Sequence, residues 1–351
     1  MKKINIKTPS NIYLWWNFGS LISIFMIMQI FIGFMISMNY FIINNSFMSS
    51  FFIYYNINFG WLMRLLHSNM TSLIFILIIF HLKRNLIYNT FFNIYMWMSG
   101  FMMMLIFMMI SFLGYSLIWT QMSYWGMMVI TNFISIIPFI GMKLMLWIWG
   151  NFNINMILIN RFFILHYIFP LILILFIFIH INILHLNKST NPLGLNNSLD
   201  LINLNPYSLI KDLIMYMMFL LLILNLIYFY PYLLNNYDNF NEMNYFVTPN
   251  HIEPEWYFLF FYSILRSIPN KFSGLLMMLF SLLMIFNLPM MIKSNKQNNK
   301  FNLFMMFFNF NFFFMLIFIS ILGAKIVEYP YSNINFIIII IFFLNFMLLL
   351  I

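Results

Sequence analysis

Residues 61–84 read WLMRLLHSNMTSLIFILIIFHLKR, and residues 161–180 read RFFILHYIFPLILILFIFIH. Each stretch is apolar over the ~20 residues that a helix needs to cross a bilayer. Each also carries two histidines 14 residues apart, His67 with His81 and His166 with His180. Fourteen helical residues advance about 21 Å and leave an angular offset of about 40°. Both members of a pair therefore share one helix face, one near each leaflet.

The surrounding composition agrees. The chain has 351 residues, 64% hydrophobic, 22% aromatic and 7% charged. A soluble domain is nearer ~25% charged, so this chain cannot cover its surface with polar groups. It is equally far from the polar, charged composition of a disordered protein. Cysteine is absent, which excludes disulfides, thiolate metal sites and thioether-linked haem. Alanine occurs once and valine three times, a bias of the kind AT-rich genomes impose.

Eight apolar segments are long enough to span: roughly 20–40, 62–82, 94–114, 163–185, 212–231, 273–292, 303–322 and 333–351. Lipid offers backbone groups no partner, so each must be a helix. Met1-Lys2-Lys3 looks like a signal n-region, but no small-residue cleavage site follows, and no cleaved signal is expected. Eight spans put both termini on one side. That side holds Lys2, Lys3, Lys7, Lys83, Arg84, Lys188, Lys211, Lys293, Lys296 and Lys300 against Asp200 and Asp212. The other holds Arg64, Lys143, Arg161, Arg266, Lys271 and Lys325 against Asp238, Glu242, Glu253, Glu255 and Glu328. The cation excess assigns the termini to the cytoplasmic or matrix side. Two long connections, 115–160 and 232–272, lie opposite, and loops of that length are usually functional.

One span separates the two histidine helices, so they run in the same direction. His67 then shares a depth with His166, and His81 with His180. Two facing imidazoles at each of two depths suit a pair of bis-histidine haems, whose irons keep no open position and move electrons. Gly19 and Gly33 on the first span, and Gly100 and Gly114 on the third, repeat the spacing of 14. Small residues admit close neighbours, here a porphyrin edge beside each histidine level. Arg64, Arg84 and Arg161 lie at the span ends near the histidines and can serve as propionate partners.

Several runs carry a resemblance: Trp15-Trp16-Asn17-Phe18-Gly19-Ser20, Gln121-Met122-Ser123 with Trp125-Gly126, Val129-Ile130-Thr131-Asn132, Trp147-Ile148-Trp149-Gly150, Pro254-Glu255-Trp256-Tyr257, and Ile264 to Lys271. With the ordered histidine pairs, they make the chain resemble the mitochondrial cytochrome b family over nearly its whole length. The resemblance implies an all-α polytopic fold, with a haem-binding four-helix bundle in residues 1–190 and a C-terminal four-helix region in 191–351. It implies two haem b groups, a low-potential one on His67 and His166 and a high-potential one on His81 and His180. It also implies the core subunit of ubiquinol–cytochrome c oxidoreductase, which oxidises ubiquinol outside, passes electrons inward and reduces ubiquinone inside, contributing to proton translocation. The implied setting is the mitochondrial inner membrane with matrix termini. The implied company is a Rieske iron–sulfur protein, a cytochrome c1-type subunit, other complex III subunits in a dimeric complex, and lipids, with no nucleic acid. The chain is unsplit and lacks cysteine, unlike the photosynthetic relatives.

Residue by residue, the outer quinol site falls on Pro254, Glu255 and Tyr257, lined by Tyr262, Tyr115 and Gly126. The inner quinone site falls on His185, Asp212, Lys211 and Ser20. Glu255 and Tyr257 outside, and His185 and Asp212 inside, are the expected catalytic residues, with Glu255, His185 and Asp212 handling the protons. An apolar pocket raises a carboxyl's proton affinity into a useful range, and a histidine with a carboxylate can supply two protons. Ile118 and Thr120 stand where the family usually has Pro and Gly, and Glu253 where it often has a basic or neutral residue. Two other functions remain open on the residues alone. A histidine-relay transporter would favour an internal repeat with broken spans, and a dehydrogenase haem anchor would lack the Pro-Glu-Trp-Tyr run.

Overall fold

The structure is a computed structural model that describes residues 6–42, 46–194, 200–291 and 302–349. The cations Lys2, Lys3, Lys293, Lys296 and Lys300 of the charge comparison lie outside these residues. The chain runs α1 (Phe18–Ser37), α2 (Ser46–Asn56), α3 (Gly60–Ile87), α4 (Ile94–Ser116), α5 (Gln121–Asn132), α6 (Gly141–Trp149) and α7 (Met156–Asn187). It continues with α8 (Leu209–Phe229), α9 (Leu259–Ser267), α10 (Lys271–Met291), α11 (Leu303–Gly323) and α12 (Tyr331–Leu349). Among the described residues, eight helices are long and apolar enough to cross a membrane: α1, α3, α4, α7, α8 with its preceding turn, α10, α11 and α12. They fall where the sequence predicts spans. The fold is nearly all-helical, with one two-stranded sheet of β1 (Lys7–Pro9) and β2 (Leu201–Asn203). That pairing ties the start of the chain to the segment after α7, as an even number of crossings between them requires.

Asparagine, abundant here, starts three of the spans. Asn93, Asn155 and Asn302 accept backbone N–H groups at the first turns of α4, α7 and α11, which those helices cannot satisfy internally. Inside, α1 packs on α3 and α4 on α7 around Leu21, Phe25, Met70, Ile74, Leu77 and Leu173. Met215, Ile223 and Ile227 of α8 join this core. A second core gathers Phe260 and Ile264 of α9 with Met284, Phe312, Phe342 and Phe346 of α10 to α12. Lipid tails are as apolar as leucine, so dispersion and polar bonds between helices hold such bundles. Buried Ser263 and Asn335 supply one, an O–H to carbonyl bond of 2.7 Å joining α9 to α12.

The long connections are folded, not loose. The first contains α5 and α6, and the second contains α9; the sequence reading anticipated none of these short helices. The two segments clamp each other: the Gln121 N–H bonds the Asn241 carbonyl at 3.0 Å, and the Asn244 N–H bonds Gln121 Oε1 at 2.7 Å. Thr120 is the hinge of this clamp. It caps α5 in a reciprocal box with Ser123, and its hydroxyl donates to Asn239 Oδ1 at 2.7 Å. A glycine there would supply neither bond. Thr120→Ala is expected to cost about 1–2 kcal/mol, typical of a lost N-cap. Thr120→Ser should cost far less, and thermal unfolding of the detergent-solubilised complex compares them.

Candidate functional site

α3 and α7 face each other across a gap that α1 and α4 flank. His67 and His166 have ring centres 6.2 Å apart, with planes crossed at 84°. An imidazole nitrogen lies about 1.2 Å from its ring centre and binds a metal at about 2 Å. Two imidazoles on opposite faces of one metal therefore have centres slightly over 6 Å apart, as these do. His81 and His180 lie within electrostatic reach of one another at the other level.

Tautomers point the same way. His166 Nδ1 is 2.9 Å from the Ile110 carbonyl, which can only accept, so Nδ1 carries the proton and Nε2 keeps its lone pair. His180 Nδ1 meets the Ser99 hydroxyl at 2.8 Å, and that hydroxyl already donates to the Met96 carbonyl. Nε2 of His180 is again the free base. The buried Nδ1 atoms of His67 and His81 have no partner.

Each glycine of the sequence pattern lies against one histidine. A Cβ on Gly114 would sit 2.5 Å from His166 Cε1, and one on Gly33 would sit 2.8 Å from His67 Cε1. At the inner level the distances relax to 3.3 Å for Gly100 and His180, and 3.4 Å for Gly19 and His81. The outer glycines are thus sterically required and the inner ones are snug. Pro170, one turn beyond His166, lacks the N–H that would bond the His166 carbonyl.

The arginines separate. Arg64 borders the outer cavity, bonds the Ser50 carbonyl at 3.2 Å and lies over the Phe51 and Tyr54 rings. Arg84 bonds the Trp16 carbonyl at 3.4 Å and stacks over the Trp16 ring, leaving its buried Nε without a partner. Among the described residues neither meets a carboxylate. Such cations favour an anionic neighbour. Arg161 instead binds the Trp147 and Ile148 carbonyls at the end of α6, and it does not border the cavity.

The outer cavity measures about 330 Å³ and runs from the His67–His166 level to Tyr115, Glu255 and Tyr257. Trp256 and Tyr257 fix the Pro254–Tyr257 run to α3: Trp256 Nε1 donates to Ser72 Oγ at 3.1 Å, and Tyr257 stacks on Phe75 with centres 4.1 Å apart. Glu255 is half-buried. Burial first, and then the Glu253 charge, pushes its carboxyl up to about 7, while a hydrogen bond from Tyr115 opposes them. Burial, then the Glu255 charge, holds the Tyr257 hydroxyl well above its usual value, so it remains a donor. Pro254, Tyr262 and Gly126 do not border the cavity. Tyr262 is turned to the Ile252 carbonyl at 3.1 Å, and Gly126 faces open space.

A second pocket, about 260 Å³, opens between α1 and α8 and is lined by Ser20, Ser23, Asp212 and Tyr216. Ser20 Oγ donates to Asp212 Oδ1 at 2.5 Å. His185 sits exposed near the end of α7, apart from this lining, and Lys211 donates to the Ile12 carbonyl at 2.9 Å. The sequence reading missed Gln29, whose amide holds the His67 carbonyl at 2.7 Å, together with Ser99 and Tyr216. Gln29 lies one turn before Gly33, and Ser99 precedes Gly100, so helical neighbours of the glycines were the available signal.

Comparison with known proteins follows the same outline. Residues 3–188 match the family model described as Cytochrome b/b6/petB, and residues 242–343 match Cytochrome b(C-terminal)/b6/petD. The chain is 43% identical over 350 residues to "Cytochrome b" of Apis mellifera ligustica, covering 99% of this chain and 91% of that protein. It superposes with a TM-score of 0.92 and 25% identity on a chain of a "Hyperthermophilic respiratory Complex III", covering 99% of this chain and 93% of that one. Alanine at Gly114 or Gly33 is expected to displace an imidazole and cost about 1–3 kcal/mol, as overpacking does. Alanine at Gly19 should be near neutral. Thermal unfolding of the variants measures the difference, and equal costs at both levels would contradict the registry.

Proposed function

The chain belongs to the cytochrome b family, and from that premise we propose that its four span histidines hold two b-type haems between a quinol-oxidising outer cavity and a quinone-reducing inner pocket. Family and fold establish a core cytochrome b role in quinol oxidation and electron transfer, in a multi-pass protein of respiratory complex III. They also imply haem b, quinone and further subunits of the complex. The pairing of His67 with His166 and of His81 with His180 is the finer proposal. The observation that carries it is the crossed ring pair 6.2 Å apart, with glycine against each ring.

The residues suit the group. When bound, haem would supply a one-electron redox centre, and His67 with His166 and His81 with His180 would hold it. His166 and His180 present Nε2 because Ile110 and Ser99 engage Nδ1. Arg64 and Arg84 offer cations to carboxylate substituents near the two levels. The 14-residue spacing separates the levels by about 21 Å along each helix.

At the outer cavity, Glu255 accepts a proton from quinol. A carboxyl near 7 is protonated below that pH and ionised above it, so it is poised as a base at working pH. Tyr257, kept protonated, orients the substrate by donating a hydrogen bond. At the inner pocket, Asp212 with Ser20 forms the proton-supplying pair, and Tyr216 closes the wall. His185 would need a rotation or a water chain to join them. Pro254, Tyr262 and Gly126 support the outer site through backbone shape, and Lys211 orders the N-terminal segment over the inner one. We assign Arg161 to the outer loop, where it holds α6. We further propose a mitochondrial inner-membrane setting with matrix termini, a dimeric complex, a Rieske protein as the second electron acceptor, and a cytochrome c1-type subunit.

Two outcomes test this reading. His180→Leu should delete one low-spin haem component from the redox difference spectrum and spare the other; loss of the His67–His166 component alone would refute the pairing. Quinol oxidation should rise with pH through about 7, following ionisation of Glu255. Glu255→Gln should flatten that limb and slow turnover roughly 10²-fold, the lower range for a general base. An unchanged limb would remove Glu255 from the role.

A further inference from the structure

Glu253 stands two residues before Glu255 and has a built environment. Its Oε1 accepts from Asn236 Nδ2 at 2.8 Å, and its Oε2 lies 3.8 Å from His251 Nε2. The two side chains are 29% and 28% exposed, so the pair straddles the boundary with outer water, whereas Glu255 lines the cavity. His251 is itself held by the Ala324 carbonyl at 3.2 Å. Pro254 drives the residue before it into an extended conformation, and Glu255 itself has φ −53 and ψ 148. Alternate residues of such a segment are about 6–7 Å apart and lie on one side of it, so the two side chains are neighbours, and the Glu253 charge acts on the Glu255 carboxyl. Other charged or titratable groups reach this spot from neighbouring elements: Tyr115 of α4 and Arg266 of α9 both feel the Glu253 charge. Tyr262 of α9 bonds the Ile252 carbonyl beside it.

We propose that Glu253 is a second proton-handling residue of the outer site, taking the proton that Glu255 acquires from quinol and releasing it to outer water beside His251. The proposal rests on Glu255 being the outer proton acceptor. In the step, the Glu255 O–H bond breaks and an O–H bond forms on the Glu253 carboxylate. Glu253 then ionises to water, and no electron moves. The negative charge of Glu253 also strengthens the hold of Glu255 on its proton. Asn236 fixes the carrier, and His251 stands beside it at the boundary with water.

The test uses the assembled complex. Glu253→Gln keeps an oxygen to accept from Asn236 and removes only the charge and the exchangeable proton. It should lower the plateau rate of quinol oxidation roughly tenfold, less than loss of a base acting directly on substrate. It should also move the acid limb to lower pH, because the repulsion that raises the Glu255 proton affinity is gone. Haem spectra and quinone reduction at the inner pocket should be unchanged, and Glu253→Asp should restore the rate. A parental plateau rate in E253Q, with E255Q slow, overturns the relay and leaves the outer-site reading standing. A parental rate in E255Q overturns both. If E253Q does not assemble, E253D and E253H decide: both carry protons and should sustain turnover, and slow turnover in both overturns the relay.

Discussion

Close approach between a glycine backbone and an imidazole is the contact on which the arrangement depends. α1 and α4 can lie beside α3 and α7 at the His67–His166 level only because no Cβ intervenes at Gly33 and Gly114. The spacing of 14 then places a second glycine and a second histidine one bilayer leaflet away, on the same faces. In lipid there is no hydrophobic drive to force the helices together, so contact geometry and a few polar bonds decide their distance. Gln29, Ser99 and the Ile110 carbonyl complete the job by holding ring or backbone orientation from the flanking helices.

The outer segments add a different constraint. They must be ordered enough to shape a cavity and yet remain outside the bilayer. The clamp between Gln121 and Asn241–Asn244, with Thr120 capping α5, meets it by satisfying backbone groups across two loops. Stacking of Tyr257 on Phe75 then carries the Glu255 carboxyl to the cavity wall, where burial and the neighbouring Glu253 give it a proton affinity near working pH. Packing thus controls electrostatics here, since the same glutamate in solvent would be a weak base.

Much of this was readable from the sequence because a bilayer imposes strict periods. Span length and the shared spacing of glycines and histidines follow from the rise per residue and the thickness of the bilayer. Four short helices in the connections escaped because a helix lying flat or outside lipid has no required length. Arg161 and Lys211 were read by position alone, and side-chain direction cannot be read that way: one turns to the α6 carbonyls and the other to Ile12. Gln29 and Tyr216 were missed because neither residue type marks itself; only their helical distance from Gly33 and Asp212 would have drawn notice. Thr120, a departure from the family pattern, proved to be a cap with two bonds of its own.

Our proposal is that the four span histidines hold two haems at two depths in one chain. Redox titration of the complex under carbon monoxide, monitored through the cytochrome b absorption, tests it most directly. The account requires two one-electron components per chain at separate potentials, both low-spin and neither shifted by carbon monoxide. A single component, or a component that binds carbon monoxide in the unmodified protein, would contradict it.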